Sequence, residues 1–201
     1  MVQTSIASEM HLVIPRSLLL FVTLKQFEVL ALRNRDLRLE RTAKGELVVN
    51  PPTGWETGKR NFSLTGQLFQ WCDRHEDSGM GFDSSTGFIL PDGATRSPDA
   101  SWVSRSRWEA LSDEQKGTFP QICPDFVVEL RSRSDTLSDL QNKMQEYLDN
   151  GARLGWLLDP KHRRVEIYRP SQPVEVLDNP TQLSGEDVLP EFVLSLSKLW
   201  A

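Results

Sequence analysis

Residues 124–158 read PDFVVELRSRSDTLSDLQNKMQEYLDNGARLGWLL, and this stretch decides the fold class. Apolar and polar residues alternate over 125–131, which predicts a strand with one core face and one polar face. The apolar spacing over 135–150 predicts a helix, and Gly151 suits the position just after its C-terminus. A second apolar segment, 154–158, predicts another strand. Strand, helix and strand in this order favour an α/β or α+β sheet with helices packed on it.

The flanking sequence supplies the remaining elements. We predict helices at 23–34, 55–75 and 105–111, a hairpin of 37–41 with 46–49, short strands around 81–82, 87–90 and 99–103, and a strand at 164–169. Thr23 can cap the first helix, and Thr53 and Glu56 match a capping box at the start of the second helix. Residues 1–17 show no sustained period and are predicted to form a loose N-terminal arm, which leaves 18–201 as a single domain.

The composition narrows the classes of function. The chain has 201 residues with 23 Lys and Arg against 28 Asp and Glu, and a net charge of −5 argues against nucleic-acid binding through overall charge. Any DNA contact must come from a local patch. Two cysteines, Cys72 and Cys123, are too few for a disulfide framework, and the histidines lack zinc-ligand spacing. Neither a signal peptide nor a membrane span fits residues 12–24, so we expect a cytoplasmic protein.

Two acidic residues have the spacing of a metal site. Asp99 begins one predicted strand and Glu129 lies on a later one, a separation that allows adjacent strands to present both carboxylates at one end. With a backbone carbonyl such as that of Leu130, they would form a hard oxygen site for Mg²⁺ or Mn²⁺. Such a cation polarises a phosphate and lowers the pKa of bound water, and a nearby lysine would position or deprotonate that water.

Six segments resemble the Uma family of putative restriction endonucleases, within the PD-(D/E)XK nuclease superfamily. They are PTG at 52–54, SPDASWV at 97–103, PDFVVEL at 124–130, KMQEY at 143–147, GWLLDP at 155–160 and VEIY at 165–168. The resemblance covers roughly residues 23 to 200. It implies a restriction-endonuclease-like fold, which is a mixed central sheet flanked by helices, here with an N-terminal helix and hairpin. It also implies a divalent metal and nuclease chemistry.

The resemblance suggests roles for individual residues. Asp99 and Glu129 match the two acidic positions of the motif, whereas Arg131 stands where the superfamily has lysine. A guanidinium stays protonated and cannot act as a base, although it can steady a phosphate oxygen. Lys143, on the border of the apolar stripe of the following helix, is the candidate replacement that handles the water, because desolvation can lower the pKa of a lysine whereas arginine remains charged. Glu56 is either a helix-capping residue or an additional metal-site acid from the first core helix.

Some of these acidic residues could instead have purely structural roles. Asp99 could simply close a turn, and Glu129 could form a structural pair with Arg131 or Arg153. Asp125 also follows a proline. It would lie about 13 Å from Glu129 along the same strand, too far to share a metal, so we expect it to be structural.

The leading hypothesis is an Mg²⁺-dependent DNA endonuclease. One rival is a nuclease-fold DNA-binding or regulatory protein without catalysis, which the missing lysine at position 131 favours. Another is a subunit-assembly module whose carboxylates are merely paired. Two cuts on antiparallel strands suit two-fold symmetry, so a homodimer is expected by analogy.

Overall fold

The computed structural model describes residues 19–201, so the predicted arm at 1–17 lies outside the described residues. In chain order the elements are α1 (Leu24–Arg33), β1 (Arg38–Arg41), β2 (Leu47–Asn50), α2 (Trp55–Arg74), β3 (Gly79–Asp83), β4 (Phe88–Ile89), β5 (Thr95–Arg96), β6 (Ala100–Ser104), α3 (Arg105–Glu109), α4 (Asp113–Lys116), β7 (Phe126–Leu130), α5 (Leu137–Asp149), β8 (Leu154–Asp159), β9 (Arg164–Tyr168), β10 (Glu175–Asp178), β11 (Gln182–Ser184) and β12 (Val193–Ser195). Mixed sheets flanked by helices confirm the predicted fold class.

The central sheet has the strand order β10-β9-β8-β7-β6-β3. Its middle pair, β7 and β8, is parallel, and its other pairs are antiparallel. Parallel neighbours cannot be joined by a tight turn, so the chain crosses over through α5, which packs on the sheet. The predicted strand, helix and strand of 124–158 are this crossover unit.

Both faces of β7 are buried. Phe126, Val128 and Leu130 point into one apolar cluster, while Val127 packs on the other face with residues of α5. Glu129 shares that second face and is only 3% exposed. The prediction of a polar face on this strand is therefore wrong, because α5 covers the face that alternation alone assigns to polar surroundings.

The helix starts test two capping assignments. Thr23 caps α1 and forms a capping box with Gln26, as its position before the apolar stripe predicts. The N-cap of α2 is Gly54, which makes no side-chain cap bond, so the capping box of Thr53 and Glu56 is wrong. The reason is register, since Thr53 stands one residue too early for its hydroxyl to cap the first turn.

A second sheet, in the order β2-β1-β5-β4, carries the predicted hairpin. Strands β5 and β10 to β12 and helix α4 were not predicted. They are two to four residues long and too short to show a hydrophobic period. Within residues 19–201, no helix has the length and apolarity that crossing a bilayer requires.

Candidate active site

Asp99 directly precedes β6, at the edge of the sheet where β7 ends. Ala100, the first residue of β6, pairs with Val128 of the antiparallel β7, so Asp99 stands beside Glu129 at one end of both strands. The Asp99 backbone N–H donates to the Val128 carbonyl (3.0 Å), and the Leu130 N–H donates to Asp99 Oδ2 (2.8 Å). The structure thus brings together the two acidic residues that the sequence motif contains.

Helix α5 supplies a cation and a hydroxyl to Glu129. Lys143 Nζ lies 2.9 Å from Glu129 Oε1, and the Tyr147 hydroxyl donates to the same oxygen (3.0 Å). The two residues are one helical turn apart and share a face of α5. Within residues 19–201, the other oxygen of Glu129, Oε2, accepts no hydrogen bond from the protein. Lys143 therefore reaches the sheet from the following helix, where the sequence analysis expects it.

Glu40, on β1, is a third carboxylate, and sequence reasoning missed it. Its Oε1 lies 2.9 Å from Lys143 Nζ and accepts the Ser97 backbone N–H (3.2 Å). Its Oε2 lies 3.3 Å from Arg96, and Arg96 also holds Glu146 of α5 (3.1 Å). Lys143 is therefore shared between Glu40 and Glu129. Alternation along the predicted hairpin strand was the signal available, because it puts Glu40 on one face with another charged residue, Arg38.

Two side chains from other elements hold Asp99. Arg38 Nη1 lies 3.3 Å from Asp99 Oδ1 and its Nη2 donates to the Ser97 carbonyl (2.6 Å). The Asn61 amide N–H, from α2, donates to the same Asp99 oxygen (3.3 Å). The Asn61 carbonyl oxygen, Oδ1, is buried and has no hydrogen-bond partner within the described residues. We refer to the following residues as the carboxylate cluster: Arg38, Glu40, Asn61, Arg96, Asp99, Glu129, Lys143 and Glu146.

Burial and neighbouring charges set the protonation of this cluster. Burial raises the pKa of Glu129 to about 7, with Lys143 opposing the shift and Asp99 and Glu40 adding to it. Burial alone would lower the pKa of Lys143, but Glu129 and Glu40 outweigh it, and the pKa is raised. Burial also opposes ionisation of Glu40, yet the charges of Lys143 and Arg96 outweigh it and lower the pKa of that carboxyl. Lys143 therefore favours its ammonium form, and the direction of its pKa shift is opposite to the one expected from desolvation, because two carboxylates face it.

Arg131 does not join the cluster. The chain leaves the sheet after Leu130, and the Arg131 guanidinium pairs with Asp159 at the end of β8 (2.6 Å). In the part of the chain that the structure describes, its side chain contacts neither Asp99 nor Glu129. Asp159 also accepts from His162 (2.8 Å), so the guanidinium belongs to a separate network around the buried Asp159. Arg131 is thus held by Asp159, and its role toward a phosphate oxygen stays a prediction.

Glu56 also lies apart from the two central carboxylates. Its side chain is 45% exposed, and it pairs with Arg133 (3.3 Å) and more distantly with Arg60 (3.9 Å). Across residues 19–201 it makes no contact with Asp99 or Glu129. The position on α2 that does reach Asp99 is Asn61, and the signal for it was a polar residue on the core-facing stripe of that helix.

The cluster presents oxygens of the kind that Mg²⁺ and Mn²⁺ prefer. No group of three or more His, Cys, Asp or Glu side chains in residues 19–201 is arranged to hold a metal ion. A cation here would rely on the Asp99 and Glu129 carboxylates and on neutral oxygens. Mg²⁺ sites commonly use one or two carboxylates and complete their shell with water and substrate phosphate. Asn61, whose amide N–H donates to Asp99, has an unpartnered Oδ1, and Glu129 has a free Oε2, and both are oxygens of the type that such a cation binds.

Comparisons with known proteins identify the fold and the family of the chain. A crystal structure of a putative nuclease belonging to DUF820, from Anabaena variabilis, matches with a TM-score of 0.73 at 22% identity, covering 89% of this chain and 97% of that one. That likeness shows the fold. No curated protein matches the chain. The Uma2 family model, described as a putative restriction endonuclease, matches residues 24–197. The chain therefore belongs to the Uma2 family of putative restriction endonucleases.

Proposed function

We propose that this protein is an Mg²⁺- or Mn²⁺-dependent endonuclease that hydrolyses DNA phosphodiester bonds in the cytoplasm, with the carboxylate cluster as its active site. The adjacency of Asp99 and Glu129, with Lys143 Nζ 2.9 Å from Glu129, carries the proposal. Membership of a family described as putative restriction endonucleases supports the class of reaction and makes DNA the expected substrate.

The charge balance of the cluster supports dependence on a divalent cation. Four carboxylates, Glu40, Asp99, Glu129 and Glu146, face the three cations Arg38, Arg96 and Lys143. With all four carboxylates ionised, the formal sum is −1, which repels a phosphodiester. One divalent cation reverses the sign of the cluster and makes the site attractive to phosphate.

Each residue has a distinct task in this proposal. Asp99 and Glu129 would hold the cation, with the Asn61 amide oxygen as a third ligand. The cation would supply polarisation of the scissile phosphate and a lower pKa for the attacking water. Lys143, charged while Glu129 faces it, would donate a hydrogen bond to that water or to a phosphate oxygen. Arg38 and Tyr147 fix the orientations of the Asp99 and Glu129 carboxylates respectively.

The direct test is plasmid cleavage by the purified protein. Mg²⁺ or Mn²⁺ should support nicking or cutting, and EDTA should abolish it. Glu129→Ala should abolish cleavage while circular dichroism shows an intact fold. Persistent cleavage by Glu129→Ala would point to a contaminating nuclease or to a different site.

A second candidate function, DNA binding without catalysis, is favoured by the raised pKa of Lys143. Burial works against that rise, but Glu129 and Glu40 outweigh it, and a charged lysine cannot take a proton from water. This candidate predicts DNA binding that EDTA does not change and no cleavage under any metal condition. A purely structural role for the carboxylates predicts in addition that Mn²⁺ does not bind. Electron paramagnetic resonance of titrated Mn²⁺ separates that outcome from the first two. Mn²⁺ that binds to wild type, and binds more weakly to Asn61→Ala, excludes a purely structural role.

A further inference from the structure

Three aromatic side chains lie exposed on one stripe of helix α2. Trp55 is 84% exposed, Phe62 is 83% exposed and Phe69 is 64% exposed. They are seven residues apart, so they follow one another along the same side of the helix. The opposite side of α2 packs into the core. A row of exposed aromatic residues of this size marks an interaction surface rather than ordinary apolar surface.

Two glycines stand between these aromatic residues, and the fold does not account for them. A Cβ atom added at Gly58 or Gly66 would meet nothing within 4 Å. Glycine in a helix interior weakens the helix relative to alanine. Because a side chain would fit at both positions, the single chain gives no reason for glycine there. Close approach of a second backbone to this side of the helix does give a reason.

The pattern of the stripe is symmetric about Phe62. Gly58 and Gly66 each stand four residues from Phe62, and Trp55 and Phe69 each stand three residues beyond a glycine. A two-fold interface uses the same patch on both copies. If one residue of the first copy contacts another residue of the second, the same two positions also meet with the copies reversed. If two copies of α2 lie antiparallel with the axis at Phe62, Trp55 faces Phe69 of the second copy. Gly58 then faces Gly66 of the second copy.

The size and charge of the stripe also suit a second copy. Aromatic side chains bury roughly 150–250 Å² each, so three supply roughly 450–750 Å² per copy. A stable interface needs about 800 Å² from each partner, and the flanking residues of α2 can provide the difference. Lys59 and Asp73, both exposed beside the stripe, cancel in charge. That neutrality disfavours a nucleic-acid partner.

We propose that α2 pairs with α2 of a second copy of this chain, antiparallel, about a two-fold axis at Phe62. Asn61 adjoins Phe62 and contacts Asp99, so each carboxylate cluster would lie behind its own copy of α2. Two clusters on either side of one axis suit cuts on antiparallel strands. That last consequence rests on the proposed function, whereas the pairing itself does not.

Light scattering coupled to size-exclusion chromatography tests the pairing without metal or DNA. The wild type should have twice the mass of one chain. Phe62→Lys puts two like charges at the axis and should raise the dissociation constant at least tenfold, giving a monomer. Gly66→Leu fits the open space of the single chain and should also give a folded monomer by circular dichroism. Phe21→Lys is the matched control, since Phe21 is a 62% exposed phenylalanine off the stripe, and it should remain dimeric.

Cysteine cross-linking tests the register. Phe62→Cys should form an intermolecular disulfide with itself, and Trp55→Cys should link to Phe69→Cys in a mixture of two differently tagged chains. Phe69→Cys alone should not cross-link, because its two copies would be roughly 20 Å apart along the helix at 1.5 Å per residue. A monomeric wild type, or a Phe62→Lys variant of dimeric mass, overturns the proposal. A monomeric wild type that loses DNA affinity in Phe62→Lys would instead assign the stripe to nucleic acid.

Discussion

The two ends of the β6–β7 pair carry the same local motif in different surroundings. At each end an aspartate follows a proline, and its N–H donates to a carbonyl of the neighbouring strand at 3.0 Å, for Asp99 as for Asp125. At each end the carboxylate accepts a backbone N–H at 2.8 Å, from Leu130 or from Ser104. An arginine side chain pairs with each, Arg38 at 3.3 Å and Arg107 at 2.9 Å. The local structure of a Pro-Asp strand end therefore does not distinguish a candidate catalytic aspartate from a structural one.

The difference lies in what else converges on each end. Beside Asp99 the next strand contributes Glu129, helix α5 contributes Lys143, and β1 contributes Glu40. The ion-pair partner of Asp125 within the described residues is Arg107, and no carboxylate joins it there. Chemistry at phosphate needs several charged groups in one place, so the surroundings, and not the motif, make the Asp99 end a candidate site.

The largest predicted effect compares the two aspartates directly. Asp99→Asn should lower the rate of Mg²⁺-dependent DNA cleavage by about 10³-fold or more, because it removes several kcal/mol of transition-state charge stabilisation by the metal. Asp125→Asn should cut at close to the wild-type rate. Both variants keep an amide oxygen that can accept the backbone N–H, so their losses of stability should be similar. Equal losses of activity would mean that Asp99 acts only through the fold.

The second prediction concerns pH and the Asp99 end alone. Burial raises the pKa of Glu129 from 4.5 to about 7, so the folded protein holds this proton more tightly than the unfolded chain. The resulting stabilisation is present in full below pH 4.5 and is lost as the pH rises through about 7, a change on the order of 3 kcal/mol. Glu129→Gln should therefore gain stability relative to wild type as the pH rises. Urea unfolding in EDTA measures this, and parallel curves for the two proteins would contradict it.

The third prediction exchanges the cation at each end for a neutral side chain. Lys143→Met should lower the rate of cleavage by about 10²-fold, the lower range for a group that handles a proton or orients water. Arg107→Met, at the Asp125 end, should leave the cleavage rate near that of wild type. Glu40 and Glu129 lose their shared cation in Lys143→Met, so unfolding should be easier by about 3–5 kcal/mol.

Lys143→Arg distinguishes the two roles of this lysine. It keeps the charge that the carboxylates stabilise but cannot release a proton. If Lys143 acts as a cation, Lys143→Arg should retain clearly more activity than Lys143→Met at equal DNA affinity. If it acts as a base, the two variants should be equally slow.

The local pattern of the sequence was sufficient for the elements around the site. Strand alternation and helical spacing indicated β7, α5 and β8, and the motif selected Asp99 and Glu129. Alternation could not reveal that α5 covers the second face of β7, because burial on both faces depends on the crossover between parallel strands. The same limit explains the error about the pKa of Lys143, which depends on two carboxylates contributed by distant parts of the chain.

Glu40 and Asn61 show why part of the candidate site was not predictable. Glu40 contacts Lys143 across 103 positions of sequence, and Asn61 contacts Asp99 across 38. A local pattern contains no information on such pairings. For Asn61, a polar residue on a core-facing helical stripe was the available hint, and it indicates burial with a partner without identifying that partner.

The smallest predicted effect concerns Arg131, which follows β7 at the Asp99 end. Arg131→Lys restores the lysine of the superfamily pattern, so a base at this position would raise the rate of cleavage. The structure argues against that outcome, because the side chain at 131 pairs with Asp159 and contacts neither Asp99 nor Glu129 within the described residues. Asp159 is buried, but a lysine at 131 keeps the positive charge that pairs with it, so stability should change by only about 1 kcal/mol, the size of one lost hydrogen bond. Cleavage rate and thermal unfolding measured on Arg131→Lys should therefore both stay close to wild type. A marked gain in the rate of cleavage would mean that the catalytic role of the lysine belongs to position 131, directly after β7, and not to Lys143.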